Sequence, residues 1–222
     1  MTNSQDVAAS TSTSIHAQQG EAQPALVLVN LGTPTAPEPG PVRAFLREFL
    51  SDRRVIEMSP LLWKPILEGI ILRVRPREVA AKYRSIWMEE GSPLMHYTRE
   101  QARRLGERLP GVRVEVAMRY GQPSIGSVLD CLHADGVRRV AILPAYPQYA
   151  ASTVTTINDA VAQWIGRNRD GFEMRLHRSF PAAPAYIEAL AIALERHWER
   201  VGRPNFLTGD RVVVSFHSIP VA

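Results

Sequence analysis

The feature that most constrains the fold of this chain is a series of short strand-like runs that alternate with helical patterns. The first run, residues 25–31 (ALVLVNL), is apolar throughout and ends at the turn formers 32–34, as a strand buried on both faces does. Strand-like runs follow at residues 112–118, 137–143 and 172–176, with amphipathic helical stretches between them. This alternation predicts an α/β fold with a mostly parallel sheet flanked by helices.

A polar break at residues 166–171 (GRNRDG) divides the chain. Residues 24–168 contain three predicted strands with their helices and are expected to form a first α/β domain. Residues 169–222 contain two predicted strands and one helix, so they are expected to form an incomplete second α/β domain. Residues 1–23 carry neither an apolar core nor a basic leader pattern and are predicted to be a disordered tail.

The single cysteine, Cys131, excludes an internal disulfide and leaves no cysteine pair for zinc or an iron–sulfur cluster. A reducing cytosol suits such a chain, so we predict a cytoplasmic protein. No apolar run approaches the ~20 residues that a transmembrane helix needs. The nearest run, residues 61–72, is interrupted by Lys64, Pro65 and Glu68. It is expected either to pack on its own domain or to make a peripheral membrane contact as an interfacial helix.

The formal net charge of +4 comes partly from one basic cluster. Its members are Arg73, Arg75, Arg77, Lys82 and Arg84. A solvated helix face accounts for such a cluster, and so would a contact with anionic lipid or with an acidic small molecule. Nucleic-acid binding is not predicted, because no aromatic platform or recognition motif accompanies the cluster.

Polar and aromatic residues follow the predicted strands at their carboxyl ends, where open α/β sheets bind ligands. Arg119 and Tyr120 follow the second strand; such a pair can bind a carboxylate and stack on a flat ring, or cap a neighbouring helix. The third strand leads into a loop, residues 143–156, that is rich in hydroxyl groups and ends at a helix N-terminus with free amide groups. His217 follows the last predicted strand, residues 211–216, and imidazole can take up a proton or bind a metal.

These strand ends and the segments between them resemble the ferrochelatases, enzymes that insert Fe²⁺ into a porphyrin to make haem. The matching segments occur in the family's order: LVNLGTP at 28–34, FLSD at 49–52, KYR at 82–84, EGSPL at 90–94, MRY at 118–120, LPAYPQY at 143–149 with Ser152 and Thr153, and SFHSIP at 215–220. The YPQY segment with its serine and threonine, together with SFHSIP, is the most specific part of the resemblance.

The resemblance implies two similar α/β domains, with mostly parallel sheets and a porphyrin cleft between them. It assigns the catalytic and metal-site role to His217. It assigns contacts with the porphyrin to Leu31, Arg119, Tyr120, Tyr146 and Ser152. The implied partners are a porphyrin, either protoporphyrin IX or coproporphyrin, and Fe²⁺, which is a substrate. No permanently bound cofactor and no iron–sulfur cluster are expected, because Ala151 stands where some members carry a cluster cysteine.

The family also needs a glutamate across from the histidine, in a region that would lie beyond Ala222. We therefore expect this chain to be a fragment with little activity, and a non-catalytic porphyrin-binding remnant is one alternative. A cobalt or nickel chelatase of the same superfamily is another. Such enzymes tend to carry a histidine at the end of the first strand, where this chain has Asn30 and Leu31.

Overall fold

Four parallel strands form one sheet flanked by helices, which confirms the predicted α/β class. The structure is a computed structural model, and it describes residues 23–215 and residue 217. The strands are β1 (Ala25–Gly32), β2 (Arg113–Tyr120), β3 (Arg139–Pro144) and β4 (Glu173–Leu176), in the order β2-β1-β3-β4. β1 and β3 are central, and β1 is nearly all apolar because both of its faces are covered.

Seven α-helices lie in the described residues. They are α1 (Pro39–Leu50), α2 (Pro60–Ile66), α3 (Leu72–Ile86), α4 (Pro93–Arg108), α5 (Ile125–Ala134), α6 (Thr156–Arg167) and α7 (Pro184–Val201). Two short π-helical segments, Leu67–Ile71 and Ala151–Thr155, precede α3 and α6. Ser124 caps α5: its hydroxyl accepts a hydrogen bond from the Ser127 amide at 3.1 Å.

The hydrophobic core lies between one face of the sheet and helices α5 and α6. Val27 and Val29 point to this face, where Trp164 of α6 is 1% exposed and Leu129 of α5 is fully buried. Side chains alternate along a strand, so Asn30 points to the opposite face, and its amide donates to Thr98 of α4 at 2.9 Å. The two faces of β1 thus pack on different helices, as in other α/β folds.

The longest helical stretch continues past a proline. The chain stays helical from Pro60 to Ile86 through the π-helical segment, with Pro76 inside α3. Pro76 is buried inside α3. Its packing offsets the hydrogen bond that proline cannot donate.

The predicted assignment of residues 172–176 to a second domain is wrong. β4 pairs in parallel with β3, for example Val140 with Met174 and Ile142 with Leu176. The first domain therefore extends to Leu176 and does not end at residue 168. The polar segment 166–171 is the loop between α6 and β4, and polarity alone does not separate such a loop from a domain boundary.

The predicted last strand, residues 211–216, is also wrong in its described part. Residues 211–215 are irregular, and Val213 is 87% exposed. An extended segment becomes a strand only through hydrogen bonds to a neighbour, and no other described residue pairs with this segment. Phe216 and most of the predicted disordered tail lie outside the described residues, so the disorder of the tail stays a prediction.

Gly32 ends β1 at a point where no side chain fits. Its φ is +108°, and a Cβ placed there would lie 1.7 Å from the Tyr120 carbonyl oxygen. Glycine adopts this conformation without strain and allows the ends of β1 and β2 to stay paired.

We expect Gly32→Ala to destabilise the fold by about 3 kcal/mol or more, because backbone strain and the clash with Tyr120 both act at one position. Urea unfolding followed by circular dichroism measures this. Gly40→Ala in α1 is the matched control, since a Cβ added at Gly40 would meet nothing within 4 Å and the φ of Gly40 is not in the left-handed region. Equal unfolding midpoints for the two variants would contradict the steric account.

Candidate functional site

The carboxyl ends of β1, β2 and β3 lie side by side at one edge of the sheet. Asn30 pairs with Met118 and Gly32 with Tyr120, while Val29 pairs with Pro144. This register places Leu31 and the residues that follow Pro144 at the same edge. The sheet therefore brings together the strand ends that carry most of the predicted porphyrin contacts.

A buried carboxylate, Asp52, organises this edge. Its Oδ2 accepts hydrogen bonds from Arg119 Nη2 at 2.5 Å, from Tyr120 Oη at 2.9 Å and from Thr156 Oγ1. Its Oδ1 accepts from the Arg54 amide at 2.7 Å. The Asp52 side chain is only 9% exposed, so these contacts are partly shielded from water and salt.

The environment of Asp52 favours its charged form. Burial raises the pKa of this carboxyl, but the hydrogen bonds from Thr156, Arg54 and Tyr120 and the charge of Arg119 outweigh burial, so the net shift is downward. The pKa of Tyr120 is raised to about 12, mainly by burial and also by its hydrogen bond to the Asp52 carboxylate. At neutral pH the network therefore holds an ionised carboxylate and a neutral phenol.

Arg119 and Tyr120 both belong to the Asp52 network, because the side chain of each donates a hydrogen bond to the Asp52 carboxylate. Arg119 Nε donates to the carbonyl and the hydroxyl of Thr156, at 2.9 and 2.6 Å, and its guanidinium lies 4.5 Å from the centre of the Tyr120 ring. Tyr120 is 0% exposed and packs edge-on against Phe49. The porphyrin contacts assigned to Arg119 and Tyr120 stay predictions.

The remaining predicted contacts lie around the loop after β3. The Tyr146 hydroxyl is buried and has no hydrogen-bond partner among the described residues. Burial raises the pKa of this phenol, with a further contribution from nearby Tyr120. Leu31 at the end of β1 and Ser152 in the π-helical segment before α6 are both half-buried. These three residues stay predicted porphyrin contacts.

The importance of Asp52 and Thr156 was missed by the site prediction. Asp52 belongs to the FLSD segment that carries part of the family resemblance, but only folding brings it from the end of α1 to Arg119, 67 residues later. Thr156 lies 104 residues from Asp52 and opens α6. One signal in the sequence could have indicated Asp52: it is an acidic residue without an assigned role inside FLSD, a segment that matches the family.

His217 is described as an exposed residue in irregular structure. Among residues 23–215 and residue 217, no group of three or more histidine, cysteine, aspartate or glutamate side chains could hold a metal ion. The role of His217 in metal insertion therefore stays a prediction.

No helix within the described part of the chain is long and apolar enough to cross a membrane.

Comparison with known proteins identifies the family to which these features belong. A sequence model described as ferrochelatase matches residues 23–222. A ferrochelatase from Methylibium petroleiphilum is 48% identical over 92% of this chain, which covers 56% of that protein. One from Stenotrophomonas maltophilia is 46% identical over 88% of this chain, covering 59% of its length.

Among solved structures, a CbiX protein of cobalamin (vitamin B12) biosynthesis from Marinobacter aquaeolei matches with a TM-score of 0.47 and 12% identity. That match covers 82% of this chain and 100% of the other.

The lowered pKa of Asp52 predicts how stability depends on pH. Because the folded pKa lies below the unfolded value near 4, the stability that Asp52 contributes is present above about pH 4 and is lost as the pH falls through the folded pKa. Asp52→Asn should cost about 2 kcal/mol at pH 7 and flatten the acid limb of the profile. Urea unfolding between pH 3 and pH 7 measures both effects.

Asp159→Asn provides the control, since Asp159 forms an exposed ion pair with Arg54 and is not hydrogen-bonded to Arg119 or Tyr120. It should leave the profile nearly unchanged. An acid limb as steep in Asp52→Asn as in the unaltered chain would contradict the assigned role of Asp52.

Proposed function

Because the chain belongs to the ferrochelatase family, we propose that it supplies the porphyrin-binding edge of an enzyme that inserts Fe²⁺ into protoporphyrin IX. The reaction would replace the two pyrrole N–H protons of the free porphyrin by the metal and release both protons, giving haem. The chain spans 56–61% of the length of the curated relatives that it matches. We propose that, by itself, it has little activity.

The observation that carries the proposal is the juxtaposition of three strand ends at one edge of the sheet, where a buried carboxylate holds Arg119 in place. A flat, apolar macrocycle with acidic side chains needs an apolar wall and a fixed cation. Half-buried Leu31 offers the apolar part, and Arg119, 20% exposed, offers the cation. Asp52 and Thr156 fix the guanidinium before any ligand arrives, which reduces the entropy cost of binding.

Arg119 would make a single, directed contact with a porphyrin carboxylate. Its Nε and Nη2 are hydrogen-bonded within the protein, while Nη1 has no hydrogen-bond partner among the described residues. A bidentate pair with a propionate would require the guanidinium to leave Asp52. We therefore propose a contact through Nη1 alone.

The phenols of the site are poor candidates for the proton acceptor. The pKa values of Tyr120 and Tyr146 are both raised, chiefly by burial, so both stay protonated at neutral pH. A neutral imidazole can accept a pyrrole proton or bind the incoming Fe²⁺, and this supports His217 in one of those roles. The buried Tyr146 hydroxyl can instead donate a hydrogen bond to the ligand.

The proposal includes no permanently bound cofactor. Cys131 is the chain's single cysteine, and Ala151 occupies the position of the cluster cysteine of some members, so we propose no iron–sulfur cluster in this chain. A reduced, unpaired cysteine fits a cytoplasmic protein, which is where we propose that the chain acts.

We also propose a peripheral contact with an anionic membrane through α2 and α3. Four apolar residues four positions apart are exposed on these helices and on the π-helical segment between them: Leu62 at 66%, Ile66 at 37%, Ile70 at 58% and Val74 at 69%. Arg73, Arg75 and Arg77 flank the stripe and can attract acidic headgroups. A porphyrin is itself poorly soluble in water, so a site beside a membrane would have access to its substrate.

A second candidate function is porphyrin binding without metal insertion. The observation that favours it is that the described residues group no three potential metal ligands, whereas bound divalent metals usually have three or four. Such a protein would bind the ring at the same strand ends.

Anaerobic insertion of Fe²⁺ or Zn²⁺ into a dicarboxylic porphyrin, followed by absorbance, tests the enzymatic proposal. The chain is compared with a version extended by the part of the Methylibium ferrochelatase that lies beyond the match. We expect insertion in the extended version and at least ~100-fold less in the chain alone, because the extension supplies the remaining ligands and the opposite wall.

In the extended version, His217→Ala should lower the insertion rate by at least ~100-fold, while His197→Ala, on exposed α7, should not. Full activity of His217→Ala would refute its role. A tight porphyrin complex without insertion in either version would favour the second candidate function.

Flotation with vesicles containing phosphatidylserine tests the membrane contact. Leu62→Glu with Ile70→Glu should weaken binding by at least about tenfold, because two carboxylates replace apolar contacts beside an anionic surface. Leu207→Glu, at a residue 98% exposed in a turn, is the control and should change binding far less. Equal flotation of all variants would rule out this face.

A further inference from the structure

The last turn of α1 lies against the end of β2. The Phe49 ring packs edge-on against Tyr120, and the Glu48 carboxylate accepts a hydrogen bond from the Gly121 amide at 2.8 Å. Asp52 follows the end of α1 by two residues, which span at most ~7 Å of chain. The position of this turn therefore determines where the Asp52 carboxylate lies.

The backbone of α1 closes this turn only loosely. The last carbonyl groups of a helix have no partner within the helix. The Ser51 amide reaches the carbonyls of Arg47 and Glu48 at 3.2 and 3.3 Å, and the Asp52 amide reaches the Phe49 carbonyl at 3.4 Å. These distances lie at or beyond the ~3.2 Å limit of ordinary N–H···O bonds. The Ser51 hydroxyl also donates to the Arg47 carbonyl, at 2.6 Å, but this bond ties the turn to no other element.

Trp63 of α2 ties the turn to a second helix. Its indole Nε1 donates to the carbonyl of Leu50, the last residue of α1, at 2.7 Å. The amide of Trp63 donates to the Ser59 carbonyl at 2.9 Å, which holds the residue in the first turn of α2. Trp63 is half-buried, so the indole bond is partly shielded from water. A side chain from α2 thus supplies the donor that the end of α1 cannot supply for itself.

The ion pairs near this turn hold it less firmly. Arg47 pairs with Glu68 of the π-helical segment, and Arg54 pairs with Asp159 of α6. The side chains in both pairs are 43–50% exposed, and exposed pairs of this kind contribute little. The Arg54 amide bonds to the Asp52 carboxylate itself, so it moves with Asp52 and does not anchor it.

We propose that Trp63 is a positioning residue, whose indole holds the last turn of α1 so that Asp52 keeps Arg119 directed at a porphyrin carboxylate. Trp63 acts through the α1 backbone and touches no ligand. A displacement of about 1 Å at Asp52 would stretch its 2.5 Å bond to Arg119 to the limit of hydrogen bonding. The porphyrin contact in this inference rests on the proposed function, whereas the placement of Asp52 can be measured without a ligand.

Trp63→Phe tests the placement of Asp52, because it keeps a ring and removes the donor. The carboxyl carbons of aspartate are labelled with ¹³C in the full chain and titrated by NMR, and Asp52→Asn assigns the signal. We expect the pKa of Asp52 to rise towards its ordinary value in Trp63→Phe, since Asp52 would lose part of its contact with the groups that lower its pKa. Circular dichroism checks folding, which is expected because no residue of α2 is buried.

Trp164→Phe is the matched control. It also removes an indole donor, whose bond to the Asp130 carboxylate has the same length of 2.7 Å. Trp164 lies in the hydrophobic core, so its replacement should destabilise the fold and leave the pKa of Asp52 unchanged. The control separates a general loss of stability from a displaced carboxylate.

Porphyrin affinity tests whether the effect reaches Arg119. The version extended by the rest of the Methylibium ferrochelatase is titrated with a dicarboxylic porphyrin and with the dimethyl ester of the same porphyrin. Trp63→Phe should raise the dissociation constant of the acid at least about threefold and leave that of the diester within about twofold, because only the acid offers Arg119 a carboxylate. Trp164→Phe should not change the ratio of the two constants.

An unchanged pKa of Asp52 in Trp63→Phe would overturn the proposal. An equal weakening of acid and diester by Trp63→Phe would also overturn it, since the effect would then not pass through Arg119. If the unaltered protein binds acid and diester equally well, the carboxylate contact proposed for Arg119 is wrong. A raised pKa of Asp52 in Trp63→Phe would in that case still support the placement of Asp52 by Trp63.

Discussion

The Asp52 carboxylate is the interaction on which the ligand-binding edge depends. It joins three parts of the chain that are far apart in sequence: the end of α1, the end of β2 through Arg119, and the first residue of α6, Thr156. Each part alone presents a polar group that would be costly to bury without a partner. One charged acceptor satisfies them together, so the position of the arginine and the packing of the three elements are set by the same contact.

The sheet and its helices were predictable because their signals are local. β1 is apolar throughout, α5 begins at a capping serine, and the stripes of α6 and α7 follow the helical period. The sequence pattern predicts β4 as a strand but puts it in the wrong domain, because the local pattern does not show which strand it pairs with. The segment at 211–215 shows the same limit: its β-branched residues favour an extended chain, but a strand also requires a neighbour.

The site was predicted less completely than the fold. The strand-end rule and the family resemblance indicated Arg119 and Tyr120 as neighbours of a ligand, and the structure places both at the expected edge. It also shows that Tyr120 is fully buried, which no pattern in the sequence distinguishes from a tyrosine that faces a pocket. Asp52 is not predicted as a site residue, because the residues that donate hydrogen bonds to it are far away in sequence and meet it only in the folded chain.

The close approach at the end of β1 limits how a family with this architecture can diversify. Gly32 leaves no room for a side chain beside the Tyr120 carbonyl, so natural variation at that position is blocked by the backbone itself. The neighbouring position, Leu31, carries a half-buried side chain at the same edge. Evolution, or an engineer who wishes to change which ring the edge accepts, can therefore vary residue 31 while residue 32 stays fixed.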